Sequence, residues 1–294
     1  MLELLQLTSH TKDLGGGFTV RRLLPSSRQQ AVGPFLFFDH FGPITAQPSD
    51  NHDVRPHPHI GLATVTYLFE GAMQHRDSTG IVQRIEPGAI NWMTSGRGIV
   101  HSERTPDDLR ALPRRSHGLQ LWAALPTEHE EDAPSFSHTA AAAIPSLKVG
   151  AVEVRVLIGS AFGAASPTPT LSPTLYADLQ LPPGATLQVP AAAQQRALYG
   201  VDHGFALDGQ AIEPGVMVVL PEGAQPTIAA PQGARVMLIG GEPLGHRFMW
   251  WNFVSSRKDR IAEAADDWAA QRFAGVPGET EFIPLPAQRP EAKG

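Results

Sequence analysis

Ile85-Glu-Pro-Gly-Ala-Ile-Asn-Trp-Met-Thr-Ser-Gly96 recurs 127 residues further on (85 to 212) as Ile212-Glu-Pro-Gly-Val-Met-Val-Val-Leu-Pro-Glu-Gly223. Each copy reads Ile-Glu-Pro-Gly, then a short apolar strand, then a glycine at the same place. A chain of 294 residues has room for roughly two domains of about 150 residues. The repeat therefore predicts two like domains in tandem. Working outward, strands bounded by Gly, Pro or Ser are expected at 18–24, 34–38, 62–69, 81–85, 89–93 and 118–124, and again at 152–158, 174–181, 215–220 and 235–239. Leu62 to Phe69 is the clearest, being rich in β-branched and aromatic residues. The 28 glycines and 27 prolines interrupt helices, so the expected class is all-β. The stretch 126–146, rich in Pro, Ala and Ser, reads as a linker. The expected division is a first domain over 1–130, a linker over 131–150 and a second domain over 151–294. One helix is expected at 256–274, with Ser256 as N-cap and Asp259 three residues on. Ile261, Ala265 and Trp268, with Ala269 and Phe273 beside them, form its apolar stripe. Gly275 and Pro277 stop it, and the Pro-rich tail 276–294 is expected to be extended.

Charge and composition exclude several chemistries. A net charge of −6 without a basic block argues against direct nucleic-acid binding. The absence of cysteine removes disulfides, thiolate metal sites, iron–sulfur clusters and cysteine nucleophiles. No Gly-x-Ser-x-Gly elbow supports a serine nucleophile, and no phosphate-binding glycine fingerprint sits in a βαβ context. The amino-terminal stretch has Glu3 in place of a basic region, so no signal peptide is expected, and no run approaches 18 apolar residues. The expectation is a soluble cytoplasmic protein.

Imidazole and carboxylate are then the strong metal-ligand types left. Of twelve histidines, nine fall between positions 40 and 138. His57-Pro-His59 and His101-Ser-Glu103 stand out as two i, i+2 pairs. Successive side chains on a strand alternate faces, so each pair presents two donors on one side. Adjacent strands lie about 4.8 Å apart, close enough for two facing pairs to surround one metal ion.

The run Arg55-Pro-His-Pro-His-Ile-Gly61, with Thr64 to Gly71, His75-Arg-Asp-Ser78, Met93-Thr-Ser-Gly-Arg-Gly98 and His101-Ser-Glu103, resembles the pirin family of the cupin superfamily. Phe35 to Gly42, Gly118 to Trp122 and Trp250 to Ser256 extend the resemblance over nearly the whole chain. It implies two cupin β-barrels in tandem, a bicupin, with a C-terminal helix and tail. It also implies a non-haem iron held by three His and one Glu, which match His57, His59, His101 and Glu103. One divalent metal per chain is expected, Fe(II) foremost, with Mn, Co, Ni, Cu or Zn as alternatives. The implied activity is that of a quercetin 2,3-dioxygenase, with a flavonol-like substrate and O2. The alternative is a metal- or redox-sensing regulator that binds a transcription factor or an enzyme without turnover. Both readings need the same four ligands. For the enzyme, Glu103 is the expected catalytic base.

The second domain departs from the pattern. At the repeat offset, His101 and Glu103 correspond to Ile228 and Ala230, and only His203 and His246 remain there, unpaired. A structural, metal-free role is expected. Asp39-His40 reads as a structural pair at a strand end rather than as acid/base machinery. His75 to Ser78 reads as a polar hairpin network, with support of the metal ligands as the alternative. Alternation sends one of Trp92 and Met93 inward, and Trp250 and Trp251 are expected to pack between the domains.

Overall fold

The two copies of the repeat build the same turn. In the computed structural model, which describes residues 4–14 and 18–287, the first copy joins strand Val82–Ile85 to strand Ile90–Thr94. The second joins Gln210–Ile212 to Val216–Leu220. The Ala89 N–H donates to the Glu86 carbonyl at 3.2 Å, and the Val216 N–H donates to the Glu213 carbonyl at 3.3 Å. Gly88 and Gly215 take φ of 83° and 76°, the left-handed region that a side chain disfavours. The repeated Pro-Gly is thus a backbone requirement met twice.

The chain forms two compact units that interleave along the sequence. One takes Met1–Thr11, Arg21–Asp39 and Thr139–Pro243, the other Lys12–Val20, His40–His138 and Leu244–Gly294, each so far as described. A single division at 131–150 does not describe this arrangement. The reason is pairing between strands far apart in sequence, which local composition does not record. Leu5–Thr8 lies antiparallel to Val216–Leu220, so an amino-terminal segment completes the later unit. Residues 126–146 are not a free linker either. They hold strand Ser135–Thr139 and part of strand Ser146–Val149, and Ser135–Thr139 is the neighbour of Ile90–Thr94 in its sheet.

The unit built mainly from 139–243 has a seven-stranded and a four-stranded sheet. Its interior is a cluster of apolar side chains that includes Val154, Leu179, Leu198 and Leu238. Ile228 and Ala230, the counterparts of His101 and Glu103, belong to that cluster. Their positions are closed by hydrocarbon, with no donor atoms to offer.

The other unit carries His57, His59, His75 and His101. Its four-stranded sheet runs Val54–His59, Ile99–Arg104, Met73–Asp77, Val82–Ile85. A larger sheet contains Leu62–Glu70 between Ile90–Thr94 and Arg114–Ala124. The strand expected to stop at Phe38 continues from Phe35 to Ala46.

The helix is shorter than expected, Lys258–Ala269, and no side chain caps it at Arg257. Ser256 is not its N-cap because a buried carboxylate claims it: Glu130 accepts the Ser255 hydroxyl and both the N–H and hydroxyl of Ser256. Asp259 pairs with Arg257 at 2.9 Å. The buried stripe is Ile261, Ala264, Ala265 and Trp268, with Ala264 in the place expected for Ala269. Trp250 and Trp251, expected between domains, join the helix cluster. Hairpin Phe248–Trp250/Phe253–Ser255 turns their rings onto Phe253. The tail runs without regular structure to residue 287; positions 288–294 of the expected extended tail lie outside the described residues. Among the described residues, no helix is long and apolar enough to cross a membrane.

Candidate metal centre

The antiparallel register sets His101 directly opposite His57 and Ile99 opposite His59. Three imidazoles meet: His57, His59 and His101 are buried, and each offers a ring nitrogen within 4.8 Å of the others. Such a group can hold a metal ion.

Backbone partners decide which nitrogen is free. A carbonyl can only accept, so His57 donates its Nδ1–H to the Arg55 carbonyl at 2.9 Å, and His59 donates its Nδ1–H to the Asn252 carbonyl at 3.1 Å. The lone pair is left on Nε2 in both. The Nε2 atoms of His59 and His101 face each other at 3.1 Å. Without a metal, His101 can place its proton between them. Ligation requires that proton to move to Nδ1, and an acceptor stands ready there. His75 Nε2–H donates to Asp77 Oδ2 at 2.8 Å, so His75 Nδ1 carries a lone pair and lies 3.4 Å from His101 Nδ1. Asp77 is itself fixed by the Thr79 N–H and hydroxyl. The chain Asp77–His75–His101 is therefore built to aim His101 Nε2 inward.

Burial keeps these rings neutral. Desolvation, with neighbouring ring charges adding, lowers His59 and His101 well below 6.5. For His57 desolvation outweighs the Arg55 hydrogen bond and brings it to about 4. At neutral pH no proton competes with a cation for the three lone pairs. Trp122 stands edge-on to His59, with ring centres 5.2 Å apart, and Phe136 stacks on His75 at 4.4 Å.

Glu103 is placed differently. The pairing with Val54–His59 slips between His101 and Glu103, so Glu103 faces Val54. On its other side it pairs with His75. It is not part of the group of atoms within 4.8 Å, although its unbroken register opposite His75 keeps it on the face that His75 and His101 share. Its carboxyl is nonetheless desolvated, which pushes it up to about 7.

The family models decide what this centre belongs to. The model described as Pirin matches residues 17–123, and the one described as Pirin C-terminal cupin domain matches 176–274. The chain belongs to the pirin family. A pirin-like protein of Caulobacter vibrioides is 48% identical over 280 residues, 94% of this chain and 96% of that one. Human pirin is 34% identical over 273 residues, 90% and 91% of the two chains. A crystal structure of quercetin 2,3-dioxygenase from Acinetobacter baumannii superposes with a TM-score of 0.91 at 32% identity, covering 99% of this chain and 97% of that one. The fold is accordingly that of two pirin cupin domains, and all three histidines and Glu103 lie in the first match.

Within this pirin chain, the other expected residues take structural places. Asp39 receives two bonds from Arg22 at 2.8 and 2.7 Å, while His40 bonds His117 at 2.8 Å. They do not form a dyad with each other. Trp92 donates its indole N–H to Thr94 in the same strand. Sequence reading did not single out Asn252 or Phe136, since nothing local marks a contact made 193 residues from His59 or a lone aromatic in a polar segment.

Proposed function

We propose that this chain is a metal-dependent dioxygenase of the pirin type, acting in the cytoplasm on a flavonol-like substrate. One divalent ion per chain, Fe(II) foremost, is held by His57, His59 and His101, with Glu103 as fourth ligand. The observation that carries the reading is the convergence of three buried, neutral imidazoles whose lone pairs are fixed by hydrogen bonds at the opposite ring nitrogens. The likeness to the A. baumannii quercetin 2,3-dioxygenase over the full chain supports the substrate class.

When bound, the ion supplies Lewis acidity and a common point for substrate and dioxygen. The chain's own groups supply the rest. Burial of the imidazoles keeps water and protons from the ligand atoms. Glu103, the carboxylate on the face of His75 and His101, is the group that would take the acidic hydroxyl proton of a flavonol. Trp122 and Phe136 bring apolar surface against His59 and His75.

The test is oxygen uptake per bound metal with a panel of flavonols. Wild type is expected to turn over, and Glu103→Gln to lose about 10²-fold or more per bound ion, the scale of general-base catalysis. No uptake by fully iron-loaded wild type across the panel would overturn the reading. Partner binding that follows metal content would then favour the regulator instead.

A further inference from the structure

The strands that bear the imidazoles have a second face. Along Met73–Asp77, His75 and Asp77 serve the histidine cluster, while Gln74 and Arg76 line a cavity of about 250 Å³ together with Arg104 from the neighbouring strand. This volume lies just below the range of about 300–1,000 Å³ usual for small-molecule pockets. Asp53, Thr105, Asp107 and Arg110 also line it, as does Glu279 from the C-terminal tail.

Charge matching in this cavity is uneven. Arg104 donates to Glu279 and Glu281. Arg110 donates to Asp53 at 2.8 Å and to Asp107 at 3.3 Å. Arg76 is half-buried, yet among the described residues its side chain meets no carboxylate and no hydrogen-bond acceptor. A guanidinium taken partly out of water without an anion is costly. Its planar fork is suited to a bidentate oxyanion. Gln74, in line with Arg104 across the sheet, adds an amide donor beside it.

We propose that this cavity is a binding site for a small oxyanion, a phosphate or a short dicarboxylate, anchored by Arg76. The site is separate from the imidazole cluster and does not rest on the dioxygenase reading. It is nonetheless one residue from it along the chain: Arg76 lies between His75 and Asp77. Ser102, between His101 and Glu103, donates its hydroxyl to Glu279 at 2.5 Å. Occupancy therefore bears on the two strands that carry His75 and His101.

The test is calorimetric titration of inorganic phosphate, and separately of succinate, into the full chain, both metal-loaded and chelator-treated. Saturable one-to-one binding of at least one anion is expected, of similar strength in both states. Arg76→Gln should weaken it by about 10- to 100-fold, the worth of a charge-assisted bidentate contact. Arg76→Lys, which keeps the charge but loses the fork, should fall in between and guards against a folding defect in the first variant. The stronger anion names the ligand class. Absence of saturable binding of either anion, equal affinity in Arg76→Gln, or binding that disappears with the metal would overturn the proposal.

Discussion

Replacing Glu103 by glutamine in the metal-free protein should change how stability depends on pH. Desolvation raises this carboxyl from 4.5 to about 7 in the folded state. Below pH 4.5 both folded and unfolded chains hold the proton, and the group adds no penalty. Between 4.5 and 7 the folded chain keeps a proton that the unfolded chain has released, so stability falls as pH rises. Above 7 the full penalty applies. At about 1.4 kcal/mol per pH unit the ceiling is about 3–4 kcal/mol, and partial access of solvent to Glu103 lowers it to about 1–3 kcal/mol. His57 works in the opposite sense: lowered to about 4, it withdraws stability as pH falls below 6.5. That contribution is common to both proteins and cancels in their difference. Urea denaturation of chelator-treated wild type and Glu103→Gln from pH 4 to pH 8 isolates the effect. The advantage of Glu103→Gln should grow with pH and level off above 7. A difference that stays constant across this range would refute the buried, uncompensated carboxyl. Saturating metal should reverse the order, because an ionised carboxylate is then the better partner.

His75→Ala leaves the His101 Nδ1 proton without its acceptor and should weaken metal affinity by about 10- to 100-fold without removing a ligand; chelator competition measures this, and unchanged affinity would rule out the Asp77–His75–His101 chain. Glu130→Ala strands the buried Arg247, now 2.8 Å from its carboxylate, and frees Ser255 and Ser256. It should cost about 3–5 kcal/mol in urea unfolding and loosen the segment that offers the Asn252 carbonyl to His59. A loss below about 1 kcal/mol would show that the segment is held elsewhere.

Much of this was legible in the chain. The paired donors stand out because strand geometry maps i, i+2 spacing onto one face, and His57 and His59 do converge. Glu103 keeps the face of His101, opposite His75, yet stands outside the group of atoms within 4.8 Å, because a two-residue spacing fixes the face and not how far the side chain reaches. The repeat was legible because its glycines answer a backbone demand. The interleaving of the units was not, since Leu5–Thr8 finds its partner more than 200 residues away and no local pattern encodes that choice. The helix start was misplaced for a similar reason: Ser256 is a good cap by type, but Glu130 competes for its hydroxyl from a distant part of the chain.

The central claim is that one divalent ion sits on the three imidazoles of His57, His59 and His101. Its most direct test is elemental metal content of the purified chain, wild type beside His101→Ala, with circular dichroism confirming that the variant keeps its strands. The account predicts one ion per wild-type chain and near-complete loss in the variant. The fold should survive, because apolar burial rather than the ion supplies most of the stability of a unit this large. Full metal occupancy in folded His101→Ala, or a second tightly bound ion in wild type traced to residues 174–240, would contradict it.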